Sequence, residues 1–161
     1  MTGTVRFSLT VRVAADPAEV RHWTVRSVTG DGGVPVRGGR LEPLEEGPDR
    51  FASRYLGGDV DQLRVVEWAG VDSAYGAIEV TVGGQLRLTA RFRLEVRPVE
   101  SGSEVVAHYV VESPLFGLGI ALQLTPTRSL ARRVARSWLR VEDPSVWRNA
   151  IVHRDRSVGR T

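Results

Sequence analysis

The chain has no cysteine and no lysine, and its three histidines are scattered. The missing thiols rule out a disulfide framework, a thiolate metal site and thiol catalysis. His22, His108 and His153 are too dispersed to suggest a dedicated metal cage. No run approaches the roughly 18 apolar residues that span a bilayer, so no membrane span is expected. The opening "MTGTVRFSLT" has no charged region followed by a continuous apolar stretch, and a cytoplasmic location is the expectation. The glycine clusters "GDGG" and "GG" lack the strand-to-helix setting of a phosphate loop or a nucleotide fingerprint. No nucleophile stands beside a base, and any chemistry is expected to need no cofactor.

What is present fits one domain with a substantial core, since the chain has 161 residues and is 42% hydrophobic. Twenty-two arginines oppose 19 acids, for a net charge of +3. That balance argues against nucleic acid as a partner, because phosphate binding needs a concentrated basic patch. The pI near 10.1 partly reflects arginine's high pKa. One local concentration of charge exists. Along "TRSLARRVARSWLR", Arg128, Arg132, Arg133, Arg136 and Arg140 gather on part of a helix while Leu130, Val134, Trp138 and Val141 recur near the other face. Such a helix packs on a core with a solvated back, or offers its basic face to an acidic partner.

Residues 5–13, "VRFSLTVRV", alternate strictly and read as a half-buried strand. In "ADPAEV", Asp16 can cap, Pro17 suits the first helical position and Glu19 completes a capping box, so a short helix starts at Pro17 and turns Val20 and Trp23 inward. The glycine-rich stretch 29–39 ends it. Six further strands follow, at about 40–46, 50–56, 62–69, 75–82, 85–98 and 104–113, with separators short enough for an antiparallel meander. Residues 115–141 read as helix in two parts, interrupted at Thr125-Pro126. A single domain is expected over 1–143, with a polar, loosely held tail over 144–161.

Two hairpins decide which residues face inward. With a two-residue loop at Gly83-Gly84, Glu79 lies opposite Leu88 on the apolar side. A three-residue loop places Ile78, Val80 and Val82 with Leu86 and Leu88, and leaves Glu79 in water. The pattern is compatible with both. For the last hairpin, a turn at Ser101-Gly102 pairs Leu94 with Tyr109, turning Tyr109 inward and His108 outward.

The stretch "FRLEVRPVESGSEVVAHYVVESPLFGLGIALQLTPTRSLARRVARSWLR", residues 92–140, resembles the carboxy-terminal half of START-like SRPBCC proteins, the group that includes polyketide cyclase/dehydrases. "VRVAADPAEV" is similar to their first strand and helix start. The chain departs from them at residues 29–39, where a glycine-rich loop replaces their second short helix. The resemblance implies an α+β helix-grip fold, START/Bet v 1-like: a seven-stranded curved antiparallel sheet wrapped around a long C-terminal helix, enclosing an apolar cavity. Fold alone does not assign function.

Candidate residues are therefore argued from the expected cavity. Tyr109, an inward phenol, can donate to a carbonyl while its ring packs on an apolar ligand. Glu79, if inward, would have its pKa raised by desolvation towards the range of a general acid or base; Tyr75 shares its face. These three are the candidate catalytic residues. Tyr55, Trp68, Phe92, Gln123 and Trp23 are candidates for substrate binding. The expected function is a cofactor-independent cyclase/aromatase-type enzyme of secondary metabolism acting on a hydrophobic, polyketide-like molecule. The alternative is a non-catalytic carrier or sensor of a hydrophobic small molecule or lipid. Exposed sheet edges and the basic helix are surfaces through which a homodimer could form.

Overall fold

The structure, a computed structural model, describes residues 3–29, 39–113 and 151–153. Its described strands are β1 (Gly3–Val13), β2 (Arg40–Glu46), β3 (Arg50–Gly57), β4 (Val60–Ala69), β5 (Ser73–Val82), β6 (Leu86–Val99), β7 (Gly102–Ser113) and β8 (Ile151–His153), with helix α1 (Pro17–Thr29) between β1 and β2. They form one antiparallel sheet in the order β2-β3-β4-β5-β6-β7-β1-β8. The meander from β2 to β7 follows the alternation, and the return of β1 beside β7 completes the curved seven-stranded sheet that the resemblance implied. The expected long helix over 115–141, and Gln123 with it, lies outside the described residues. At the tail, where a loose end was expected, Ile151–His153 pairs with Ser8, Leu9 and Thr10 of β1.

Helix α1 begins as its sequence dictates. Asp16 Oδ1 accepts a hydrogen bond from the Glu19 backbone N–H at 2.8 Å, satisfying one of the orphan donors of the first turn, and Pro17 follows in the position it suits. Val20 is fully buried, and Trp23 and Val25 pack against the sheet's apolar cluster. Thr24 Oγ1 returns its proton to the Val20 carbonyl at 2.9 Å, which lets a polar side chain sit in the core. Arg21 ties the helix to two hairpin turns, donating to the carbonyls of Gly70 (2.8 Å) and Pro48 (2.7 Å) and to Asp49 Oδ1 (3.0 Å). Its guanidinium also lies 5.9 Å from the Trp68 ring.

The core occupies one face of the sheet, called the inner face below. Leu9, Val11 and Val13 of β1, Val66 and Trp68 of β4, Phe92, Leu94 and Val96 of β6, and Val105, Ala107 and Tyr109 of β7 form one cluster with Val20. Burying each large apolar side chain is worth about 1.5–3 kcal/mol, and period-two alternation sends their neighbours outward.

Val82 pairs with Leu86, so the β5–β6 loop has three residues, Gly83, Gly84 and Gln85. Both glycines adopt positive φ, 60° and 68°, which glycine enters without a Cβ penalty. In the last hairpin Val99 pairs with Gly102, so the turn is Glu100-Ser101 and not Ser101-Gly102. The pairing moves by two residues, to Phe92 opposite Tyr109, and because two is the period of the strand the faces stay as expected.

The Phe92 ring folds across Gly76, the residue paired with it on β5. A Cβ at Gly76 would overlap that ring and the Val65 carbonyl. Gly76→Ala is therefore expected to lower stability by about 2–3 kcal/mol through overpacking, measured as a fall in the urea midpoint at unchanged slope.

Candidate functional site on the inner face

The register pairs place the inward side chains in rows across the sheet. One row runs Phe51, Val66, Gly76, Phe92, Tyr109; the next runs Ser53, Arg64, Ile78, Ala90, Val111; a third runs Tyr55, Gln62, Val80, Leu88. The inner face is thus divided. Its β5–β7 side is apolar with an aromatic border, whereas β3 and β4 contribute a patch of Ser53, Tyr55, Gln62 and Arg64.

Arg64 carries a formal charge onto this face. It is partly buried, and its Nη2 donates to Gln62 Oε1 at 3.1 Å. Burial pulls the guanidinium below arginine's ordinary value, and nearby Tyr55 works in the opposite direction. Arginine starts so high that Arg64 remains a cation at neutral pH. No carboxylate of β3 to β7 points inward among the described residues. Ser53 Oγ, the Tyr55 hydroxyl and Trp68 Nε1 are buried and have no hydrogen-bond partner among the described residues.

Tyr109 stands where expected, on the inner face and only 5% exposed. Its ring centroid is 6.2 Å from that of Phe92 at an interplanar angle of 49°, a tilted aromatic pair. Burial pushes its phenol well above the ordinary tyrosine value, so Tyr109 stays protonated at neutral pH. Tyr55, Trp68 and Phe92 are likewise inward and buried. Trp23 lies on α1, half-buried against the core.

Glu79 and Tyr75 are corrections. The three-residue loop turns both to the outer face. Glu79 Oε2 accepts from Arg87 Nη2 at 2.6 Å, and Tyr75 is 52% exposed with the Arg93 guanidinium 5.7 Å from its ring. The Glu79 pair belongs to a set of outer ion pairs that also includes Arg54–Asp61, Arg12–Glu104 (3.2 Å) and Arg93–Glu95 (3.3 Å). His108 is outward as expected and hydrogen-bonds Ser8 Oγ through Nδ1 at 2.8 Å.

The residues missed in the sequence were Arg64, Gln62 and Ser53. A signal for them existed. Trp68 was a candidate for substrate binding, and alternation back along "QLRVVEW" carries Val66, Arg64 and Gln62 to the same face.

No protein-family model matches the sequence, and no curated protein matches it. Solved structures do. Ara h 8.0201 superposes with a TM-score of 0.59 at 12% identity, over 84% of this chain and 92% of that one. The di-domain ARO/CYC proteins StfQ, of the steffimycin biosynthetic pathway, and BexL, of the BE-7585A biosynthetic pathway, superpose with TM-scores of 0.53 and 0.51, each at 17% identity. These cover 84% and 85% of this chain, which spans 46% and 45% of theirs. The described residues have the START-like, Bet v 1-like fold of these structures. No group of three or more acidic or histidine side chains among the described residues could hold a metal. No helix among them is long and apolar enough to cross a membrane.

The position of Tyr109 has a pH consequence. A phenol whose pKa is raised on folding contributes stability that is fully present below the unfolded value, about pH 10, and is lost as pH rises through the folded value. Wild type is expected to lose stability steeply above about pH 10, and Tyr109→Phe to show a shallower alkaline decline. Denaturation midpoints across pH 8 to 12 measure the difference.

Proposed function

We propose that this protein is a cofactor-independent cyclase-type enzyme that folds a hydrophobic, polyketide-like chain against the inner face of the sheet and closes a ring on it. The carrying observation is Arg64, a guanidinium set in the middle of that face beside an apolar wall. A cation in a desolvated setting stabilises an oxyanion far better than it would in water. The similarity in fold to two ARO/CYC proteins supports the reading.

An aldol-type closure suits these groups. A methylene between two ketones loses a proton to water, and Arg64 holds the enolate oxygen. The enolate carbon forms a C–C bond with a second carbonyl carbon, whose oxygen accepts a hydrogen bond from Tyr109. The electron pair of that carbonyl becomes an alkoxide, which takes up a proton from solvent. β4 and β7 are three strand spacings apart, about 14 Å, so Arg64 and Tyr109 engage different oxygens of one folded chain. Holding the chain in that shape supplies much of the barrier lowering.

A second reading, a carrier or sensor of a hydrophobic molecule, is favoured by the outward position of Glu79. With that carboxylate outside and Tyr109 held neutral, neither residue serves as a base on the inner face.

The two readings separate in a reconstituted system that releases a linear poly-β-ketone, with products resolved by liquid chromatography and mass spectrometry. The enzyme reading expects wild type to channel the chain into one ring pattern. Arg64→Gln should lower that channelling by about 100-fold or more, as when a principal oxyanion donor is removed, and Tyr109→Phe by about tenfold. An unchanged product spectrum with wild-type protein, alongside measurable binding, would establish the carrier.

A further inference from the structure

We propose that β3 is the strand that sets specificity: the hydroxyls of Ser53 and Tyr55 each hydrogen-bond an oxygen of the bound molecule. The site then takes a hydrophobic ligand carrying at least two ketone or hydroxyl oxygens along one edge, and disfavours a plain hydrocarbon. The inference rests on the reading of the inner face as a ligand site, and it holds for an enzyme and a carrier alike.

Ser53 is fully buried and Tyr55 is 8% exposed, and neither oxygen has a hydrogen-bond partner among the described residues. Buried hydroxyls in folded proteins are nearly always satisfied, so two unsatisfied ones, two residues apart on the same face of one strand, mark where an outside partner belongs. The position of Tyr55 is also built. Its ring lies over Gly39 and Gly57, where any Cβ would overlap the phenol. Gly57, at the end of β3, and Gly39, just before β2, therefore leave room for a hydroxyl that bonds to none of the described residues.

The surroundings define the rest of the ligand. Gln62 stands opposite Tyr55 and Arg64 opposite Ser53, so the polar groups occupy adjacent positions on two strands. Across the sheet the same rows hold Ile78, Val80, Leu88 and Ala90. A molecule seated here meets donors along one edge and hydrocarbon along the other. Sites built to hydrogen-bond a ligand oxygen reject the analogue that lacks it, because the protein's own groups are then left unpaired.

The test compares 1,3-dihydroxynaphthalene with naphthalene, which share a ring system and differ in the two oxygens, by calorimetric titration of the full chain. Ser53→Ala and Tyr55→Phe delete only the hydroxyls. Wild type is expected to prefer the diol by about tenfold or more, and each variant to lose about five- to tenfold in diol affinity with naphthalene affinity unchanged or improved. Without ligand, Ser53→Ala should melt at or above the wild-type temperature, because it removes an unsatisfied buried hydroxyl, whereas a hydroxyl with a structural role would lower it. Equal wild-type affinity for the two probes, variants that keep the full preference for the diol, or a clear fall in the melting temperature of Ser53→Ala would each overturn the assignment. Failure of wild type to bind either probe would overturn it together with the ligand-site reading. Absence of ring closure on a poly-β-ketone would remove the enzyme reading and leave this inference standing.

Discussion

The contents of the inner face hang on one closing pair, Val82 opposite Leu86. Side chains alternate along a strand, so the choice of three loop residues over two commits the whole of β5. Ile78 and Val80 go in; Glu79 and Thr81 go out. The commitment propagates through the ladder, because Ile78 stands opposite Arg64 on β4 and Arg64 opposite Ser53 on β3. A one-residue difference in a glycine loop thereby decides that the inward charge is a cation from β4 and not a carboxylate from β5.

Much of this architecture was legible in the sequence. The strict alternation of residues 5–13, the capping residues around Pro17 and the short separators between strands announced β1, α1 and the meander, because each is a local pattern with a local cause. Loop length at Gly83-Gly84 was not legible, since glycine accommodates both geometries and only pairing across the full strands selects one. The last hairpin shows the complementary case: its turn was placed one residue late, which moved the register by two and left Tyr109 inward and His108 outward. Arg64 was missed for a different reason. Alternation gives relative faces, and an arginine is assigned outward by default. The buried Trp68 four residues away outweighs that default, because an apolar side chain of that size fixes the face of its strand.

Arginine serves two purposes in this sheet. On the outer face Arg54 beside Asp61 and Arg87 beside Glu79 are solvated pairs. Arg54 holds the Asp61 carboxyl below its usual range through their hydrogen bond, and both guanidinia are raised by their partners. Such exposed pairs contribute little to stability and are screened by salt. On the inner face burial acts on Arg64 in the opposite direction, and the same side chain type becomes a strong electrostatic element. An arginine withstands this because its weakly hydrated guanidinium keeps its charge where a lysine would readily lose it.

The edge strand β2 carries a proline, Pro43, and a bulge between Pro43 and Glu45 that leaves Leu44 exposed. A proline cannot donate to a further strand, and a bulge breaks the even spacing that an incoming strand would need. This edge is therefore poorly suited as a template for sheet extension, with Glu45 and Glu46 adding charge beside it. On the opposite side, β8 covers only Ser8 to Thr10 of the eleven-residue β1. The two borders of the sheet differ in kind: one is blunted by its own chain chemistry, while the other depends on a short distant segment staying in place. Conditions that release β8 would open that stretch of β1 to a strand from another molecule, so strand-to-strand association is tied to β8 and not to the inner face.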